Sequence, residues 1–399
     1  MNAPSRTDSA AAQMGDDIVH WLTNGTRDER FVDNIFVEMC VRLQRAGIPL
    51  KRATLHVLIQ HPQWLGAKIM WADGMHAAEI TRADHEVRER PAYIGSPVSE
   101  IHGGAAEVRE NLAGDPALGR KHALYAEMRA MGLTDYVAWP LYHTLGKRHV
   151  VTFATDRRGG FDDAHIAALF KLLPVLALVS EIRVKNRLAR TLLETYVGSH
   201  AGELILAGAT RRGMGTTVRA AIMICDLRDF TAISDNWPRD DVIDLLNGYF
   251  DAMSEPIARH GGEILKFIGD GLLAIFPLSQ PQACANLLLA VKEARQAMIA
   301  LNEKNGEAGR SPLNYGIGVH VGDVMYGNIG SKSRLDFTVI GPAVNMASRL
   351  ETLTKQLGKP VLLSRDFADL VKADFELEPV GEYPVRGFSE PIELFAYHG

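Results

Sequence analysis

Two aspartates stand where a charge is hardest to account for. Asp226 closes the apolar run Ala220-Ala-Ile-Met-Ile-Cys225, and a carboxylate at the end of a buried strand is costly unless a cation or hydrogen-bond donors compensate it. Asp270 lies in Gly269-Asp-Gly271 between the apolar runs 263–268 and 272–276. That pattern predicts a hairpin carrying one carboxylate at its tip. If these strands are neighbours, the two carboxylates converge. Oxygen ligands of this kind suit Mg²⁺ or Mn²⁺, which use few protein carboxylates and complete their shells with phosphate and water. Two such ions lower the pKa of an attacking hydroxyl and neutralise a leaving pyrophosphate. Alone, a Gly-Asp-Gly tip is more often just a turn.

The elements that would hold these groups can be read around them. The short connection Leu227-Arg-Asp-Phe-Thr231 places the backbone N–H groups of Phe230 and Thr231 where a phosphate could meet the next helical region. A helix is predicted from about Arg239 to His260, with Leu245, Leu246, Tyr249, Phe250 and Met253 on its apolar face. Gly261-Gly262 stops it, and Pro256 marks a kink or an early end. Further on, Leu313 to His320 is strand-like, Gly322-Asp323 predicts a hairpin turn, and Leu335 to Ile340 is another strand. The helix expected from about Pro342 to Thr354 projects Asn345 and Arg349 from one face, being four residues apart. Such a pair alone usually makes a solvated surface.

In order, the segments Asp226-Leu-Arg-Asp-Phe-Thr231, Glu263-Ile-Leu-Lys-Phe-Ile-Gly-Asp-Gly271 and Phe337-Thr-Val-Ile-Gly-Pro-Ala-Val-Asn-Met-Ala-Ser-Arg349 resemble the class III adenylyl and guanylyl cyclases, in particular subgroup IIIb. The resemblance covers about Arg219 to Tyr397. It implies an α+β fold with a ferredoxin-like palm, a head-to-tail homodimer with shared active sites, and two divalent cations, Mg²⁺ or Mn²⁺. Asp226, Asp270 and the backbone carbonyl of Leu227 match the metal ligands. Lys266 and Thr338 match the pair that reads adenine, and Asn345 and Arg349 match the residues that orient the ribose and stabilise the α-phosphate. One partner would supply the aspartates and the other Lys266, Thr338, Asn345 and Arg349.

The expected reaction turns ATP into 3′,5′-cyclic AMP and pyrophosphate through positioning and charge stabilisation, without a covalent enzyme nucleophile. Two positions depart from the family pattern. Asp229 stands where relatives commonly have Gly, putting a negative charge near the triphosphate, and Arg386 in Val385-Arg-Gly-Phe388 replaces a phosphate-contacting lysine, keeping its charge but changing its geometry. The alternatives are a guanylate cyclase, which would usually carry Glu and a small residue at the base-reading positions, and a catalytically weak nucleotide-binding regulatory protein. A diguanylate cyclase fits less well, because His260-Gly-Gly-Glu263 ends a helix and that reading gives Asn345 and Arg349 no role.

The chain has 399 residues, more than one ordinary core needs. Its net charge of −5, without a long Lys/Arg run, gives no footprint for nucleic acid or an anionic membrane. Three scattered cysteines fit a reducing compartment, and with no apolar signal core after Met1 the expectation is a cytoplasmic protein. The stretch Leu169–Val179 is interrupted by Lys171 and Pro174, so no membrane-spanning helix is expected there.

Residues 1–15 read as a flexible tail and 16–182 as an α/β domain with the helix, sheet and long exit helix of a GAF-like sensor. A helix from Asp16 to about Gly47, strands at 54–59 and 67–71, a hairpin over 136–154 turning near Leu145 and a helix over 162–197 make up that order. The domain is expected either to hold a small-molecule ligand or to serve only packing or dimerisation. His56, His61, His76 and His143 match no metal-ligand spacing. Residues 183–217 read as a helical transducer and linker with a narrow apolar stripe of Leu188, Leu192, Leu193 and Val197, and 218–399 as the catalytic domain.

Overall fold

The computed structural model describes residues 6–59, 64–114, 121–386 and 390–399. The chain divides into two compact units between Leu192 and Leu193.

In the first unit, helices α1 (Arg6–Asn24) and α2 (Val32–Arg45) precede strands β1 (Arg52–Leu58), β2 (Gly66–Ala72) and β3 (Glu79–Ala83). Then come α3 (Pro97–Gly103), β4 (Val108–Asn111), α4 (Ala123–Ala130), β5 (Asp135–Tyr142), β6 (Arg148–Thr155) and α5 (Asp163–Val197). The strands form an antiparallel sheet in the order β3-β2-β1-β6-β5-β4. Alternation along the strands divides it into two faces. Leu55, Val57, Trp139, Val151 and Phe153 pack against α1, α2 and α5, while Tyr136, Ala138 and Val150 pack on the other side with α3 and α4.

Two expectations for this unit change. The tail is helical from Arg6 onward, in keeping with the helix propensity of Ala10-Ala-Ala12. The helical pattern expected to run from Asp16 to about Gly47 is two helices separated at 25–31. Pro174 lies inside a continuous α5, on its exposed side, where the carbonyl it leaves unpaired can reach solvent. By length and composition that helix could cross a membrane. In this fold its Leu169, Leu172, Leu173 and Leu176 are buried in the core.

The second unit begins with α6 (Ser199–Leu206) and β7 (Gly215–Leu227), so Gly215 to Thr217, expected in the linker, are strand residues paired with Met325 to Gly327. Next are α7 (Phe230–Asn236), α8 (Arg239–Arg259), β8 (Glu263–Ile268), β9 (Gly271–Pro277) and α9 (Ala283–Glu307). Strand β10 (Tyr315–Gly330) leads to β11 (Leu335–Ile340) and α10 (Pro342–Leu357). The chain closes with β12 (Val361–Ser364), α11 (Arg365–Val371), β13 (Glu378–Tyr383) and β14 (Ile392–Ala396). Strand order is β13-β14-β12-β10-β7-β9-β8, with β11 paired to β10.

Central strand β7 is apolar on both faces because both are covered. Ala221, Met223 and Cys225 meet α8 and α9, and Ala220 and Ile222 meet Ala343 and Ala347 of α10. Gly322-Asp323 is not a turn. It lies within the 16-residue β10, opposite Ala220 and Arg219 of β7. The glycine there serves close packing. Gly316, Gly318 and Gly322 alternate along β10, and an added Cβ would strike Thr354 and Arg228, the backbone at Ala347 and Glu351, or Ala343 Cβ (at 2.7 Å) respectively. Helix α10 therefore lies directly on a track of missing side chains. The turn that the sequence suggested at 322–323 falls instead at 331–334, between β10 and β11.

Gly318→Ala should destabilise the protein by roughly 1–3 kcal/mol by forcing α10 off the strand. Gly306→Ala, near the end of α9 with open space around it, should be neutral or stabilising by up to about 1 kcal/mol. Urea unfolding of the two variants checks the contrast, and equal effects would contradict it.

Candidate active site

The two aspartates meet at one end of the central sheet. Register places Asp226 opposite Gly316 of β10, and its neighbour Cys225 opposite Leu272, next to the β8–β9 tip that carries Asp270. The tip can come this close because residue 271 is glycine, whose added Cβ would lie 2.9 Å from Asp226 Oδ1. Burial first, and then the neighbouring Asp270 carboxylate, push the Asp226 carboxyl up to about 7. Glu351 of α10 adds to the same crowding, and its own carboxyl is raised by burial and by Asp270.

Crowded carboxylates, two of them, Asp226 and Glu351, with raised affinity for protons, suit a cation. Among the described residues no group of three or more His, Cys, Asp or Glu is arranged as a complete metal cage. Mg²⁺ does not need one, since it keeps water and substrate phosphate in its shell. Asp226, Asp270 and the Leu227 carbonyl fit such an ion as far as their chemistry goes.

An open pocket of about 480 Å³ is lined by Asp226, Leu227, Phe230, Thr231, Asp270 and Lys355, together with Asp229. Asp229 adopts left-handed backbone (φ 56°), the conformation that most favours the Gly of the family pattern. Its charge is not bare. Lys355 Nζ lies 2.9 Å from its Oδ1, so the lip of the pocket carries a neutral pair. Lys355 and Glu351 are the residues that motif reading missed. Their four-residue spacing on α10 was visible, but nothing in the sequence said which face of that helix meets the aspartates.

Lys266, Thr338, Asn345, Arg349 and Arg386 do not line this pocket. Lys266 and Thr338 are brought together elsewhere. Lys266 Nζ lies 3.8 Å from Asp336 Oδ2, and Asp336 is two residues from Thr338, on the same face of β11. Thr338 is buried, and its hydroxyl has no partner among the described residues, which leaves a polar atom free for a ligand edge. Asp336 is a further residue the motif comparison passed over, although strand alternation pointed to it. Arg386 is exposed, and the rest of its motif, Gly387 and Phe388, lies outside the described residues.

Asn345 is exposed and Arg349 half-buried, both in the N-terminal part of α10. At about 100° per residue, Arg349 and Glu351 point roughly 160° apart, and at about 1.5 Å per residue Asn345 lies ~15 Å along the axis from Lys355. Glu351 and Lys355 face this chain's own carboxylates. Neither Asn345 nor Arg349 lines the pocket beside them.

Residues 213–399 match the family described as the adenylate and guanylate cyclase catalytic domain. This part of the chain is a cyclase catalytic domain. Among relatives, an adenylate cyclase of Anabaena cylindrica is 36% identical over 190 residues, 46% of this chain and 37% of that protein. Adenylate cyclase 1 of Rhizobium meliloti is 27% identical over 251 residues, 61% of this chain and 38% of that protein. The chain thus spans less than two fifths of either relative. The solved adenylyl cyclase CyaB of P. aeruginosa is 30% identical, covering 46% of this chain and 95% of that one, with a TM-score of 0.42.

The cyclase domain's carboxylate cluster predicts a pH-dependent response to metal. Because the Asp226 pKa is raised on folding, the folded state holds a proton between about pH 4 and 7 that the unfolded state has lost, so this group's contribution to stability falls as pH rises through that window. Mg²⁺ or Mn²⁺ should therefore raise the thermal midpoint more at pH 8 than at pH 5.5. Asp226→Asn should raise the metal-free midpoint at pH 8 and abolish the metal-dependent shift. Differential scanning calorimetry with and without metal would reveal an unchanged metal response if the reading is wrong.

Proposed function

We propose that the protein is an adenylate cyclase, converting ATP to 3′,5′-cyclic AMP and pyrophosphate in active sites shared between two copies of the chain. The observation that carries this reading is the division of the site within one chain. Asp226 and Asp270 line one pocket that Asn345 and Arg349 do not line, which supports a site completed by the corresponding face of a second copy.

In this reading Asp226, Asp270 and the Leu227 carbonyl hold two divalent cations, which would lower the pKa of the ribose 3′-hydroxyl and neutralise the departing pyrophosphate. Asn345 orients the ribose, and Arg349 offsets charge that builds on the α-phosphate during in-line attack. Lys266 and Thr338 read the base. The unpartnered Thr338 hydroxyl supports this assignment, as does the Lys266–Asp336 contact, which holds the ammonium on Thr338's face of β11. Arg386 supplies a cation for the phosphates. The N-terminal unit, with its antiparallel sheet and long exit helix, is assigned a GAF-like regulatory role.

Purified protein with Mn²⁺ should convert ATP, and not GTP, to the cyclic monophosphate. Asp226→Ala and Arg349→Ala should each reduce turnover by at least about 100-fold, the scale of a lost transition-state contact. Mixing the two variants should restore activity through heterodimers that keep one intact site. Inactive mixtures of well-folded variants would refute the shared-site arrangement.

The base-reading pair gives a separate expectation. Lys266→Glu combined with Thr338→Cys should move the preference from ATP toward GTP by about 100-fold in the ratio of kcat/KM, because each swapped group exchanges a donor for an acceptor or removes one. Steady-state assays with both nucleotides read this ratio, which should not move if other residues select the base.

A further inference from the structure

The sheet of the N-terminal unit has one face that its packed core covers only in part. The face toward α1, α2 and α5 is apolar. Its other side carries a polar row, in which the Thr54 and Thr152 hydroxyls lie 2.6 Å apart and Thr54 Oγ1 is 3.0 Å from His56 Nε2. Tyr136 extends the row through Thr152. These side chains border a cavity of about 390 Å³ whose far wall includes Val98, Leu124 and Met128. That volume is within the range of small-molecule sites, and polar groups facing a cavity are costly to leave without partners.

The charges around the cavity all have one sign. Five cations, Arg52, Lys68, Arg82, Arg88 and Arg90, line it, and no Asp or Glu does. Arg90 is committed to Asp84, and Arg82 lies over the Trp64 ring. Among the described residues no acidic side chain pairs with Arg52, Lys68 or Arg88. They act instead on the cavity's own groups. Burial and then Lys68 depress the His56 imidazole to about 3, with Arg52 contributing, and burial and then Arg88 depress His102 to about 4. Both rings are therefore neutral near pH 7 and add no charge of their own.

His102 supplies the most specific feature. Its Nδ1 pairs with the Tyr93 hydroxyl at 2.8 Å, while Nε2 is buried with no partner among the described residues. A buried, oriented and unsatisfied ring nitrogen bordering a cation-lined cavity is a recognition group awaiting a ligand edge.

We propose that this cavity binds a small organic anion, its apolar body against Val98, Leu124 and Met128, its carboxylate or phosphate toward Arg52, Lys68 and Arg88, and a polar edge at His102 Nε2. The proposal does not depend on the catalytic reading of the second unit. The shared chemistry is one anionic group on a compact apolar body.

Equilibrium dialysis of the full chain at pH 7.5 tests it with four probes of similar size: 2-naphthoate, 2-naphthyl phosphate, 2-naphthamide and 2-naphthylmethylammonium. At least one anionic probe should saturate near one per chain and bind at least about tenfold tighter than the amide or the cation, the scale of one charge-assisted hydrogen bond. Which anion binds tighter distinguishes a carboxylate ligand from a phosphate one. Arg88→Ala, exposed on the short 3-10 helix His85–Glu89, and Arg52→Gln, on β1, should each weaken that binding about tenfold with little change in the thermal midpoint. His102→Phe should weaken it while leaving the preference for anions intact. Saturation by none of the probes, equal binding of anion and amide, or anion binding indifferent to both arginine variants would each overturn the proposal.

Discussion

The geometry of the catalytic unit depends on how closely one helix can lie on one strand. With glycine at 316, 318 and 322, α10 approaches β10 so closely that an added Cβ would strike its backbone at 318 and neighbouring side chains at 316 and 322. Once that seat is fixed, helical periodicity assigns each residue of α10 a direction. Glu351 and Lys355 go toward the aspartates, while Asn345 and Arg349 stay outside the pocket that the aspartates line. A shift of one residue along the helix would rotate this assignment by about 100°. A few missing Cβ atoms thus help to determine which groups can share a site within one chain.

The carboxylate cluster is the electrostatic counterpart of that constraint. Folding presses Asp226 and Asp270 together beside Glu351, and the raised Asp226 pKa records the cost. A cation relieves the repulsion, which links the stability of this end of the sheet to the chemistry proposed for it. Nearby, Asp229 and Lys355 illustrate a different solution. Both are well exposed, and the pair contributes little to stability, yet it removes net charge from the rim where a triphosphate would enter.

The N-terminal unit uses strand alternation for two purposes. Odd-numbered positions of β1, β5 and β6 build a core with α1, α2 and α5, and several even-numbered ones, Thr54, His56, Tyr136 and Thr152, line a cavity. A sheet needs only one apolar face to be stable, which frees the other for recognition. The cations at that face come from β1, β2, β3 and the segment after it, so no short stretch of chain contains the cavity's signature.

Much of this was already legible in the residues. The apolar run ending on Asp226, the Gly-Asp-Gly tip and the ordered motifs ending on Arg349 pointed to the convergent carboxylates and the family, because spacing along a chain translates directly into position on a strand, turn or helix. What failed was local reading of residues whose role is tertiary. Gly322-Asp323 looked like a turn because glycine favours turns, but it lies inside a 16-residue strand, where it makes room for Ala343. The helix expected over 162–197 does form, with Pro174 on a solvent-exposed side. Lys355 beside Asp229, Asp336 beside Lys266 and the cation-lined cavity at His102 were not legible at all. Each joins residues far apart in sequence, and such contacts exist only once packing has chosen which faces meet.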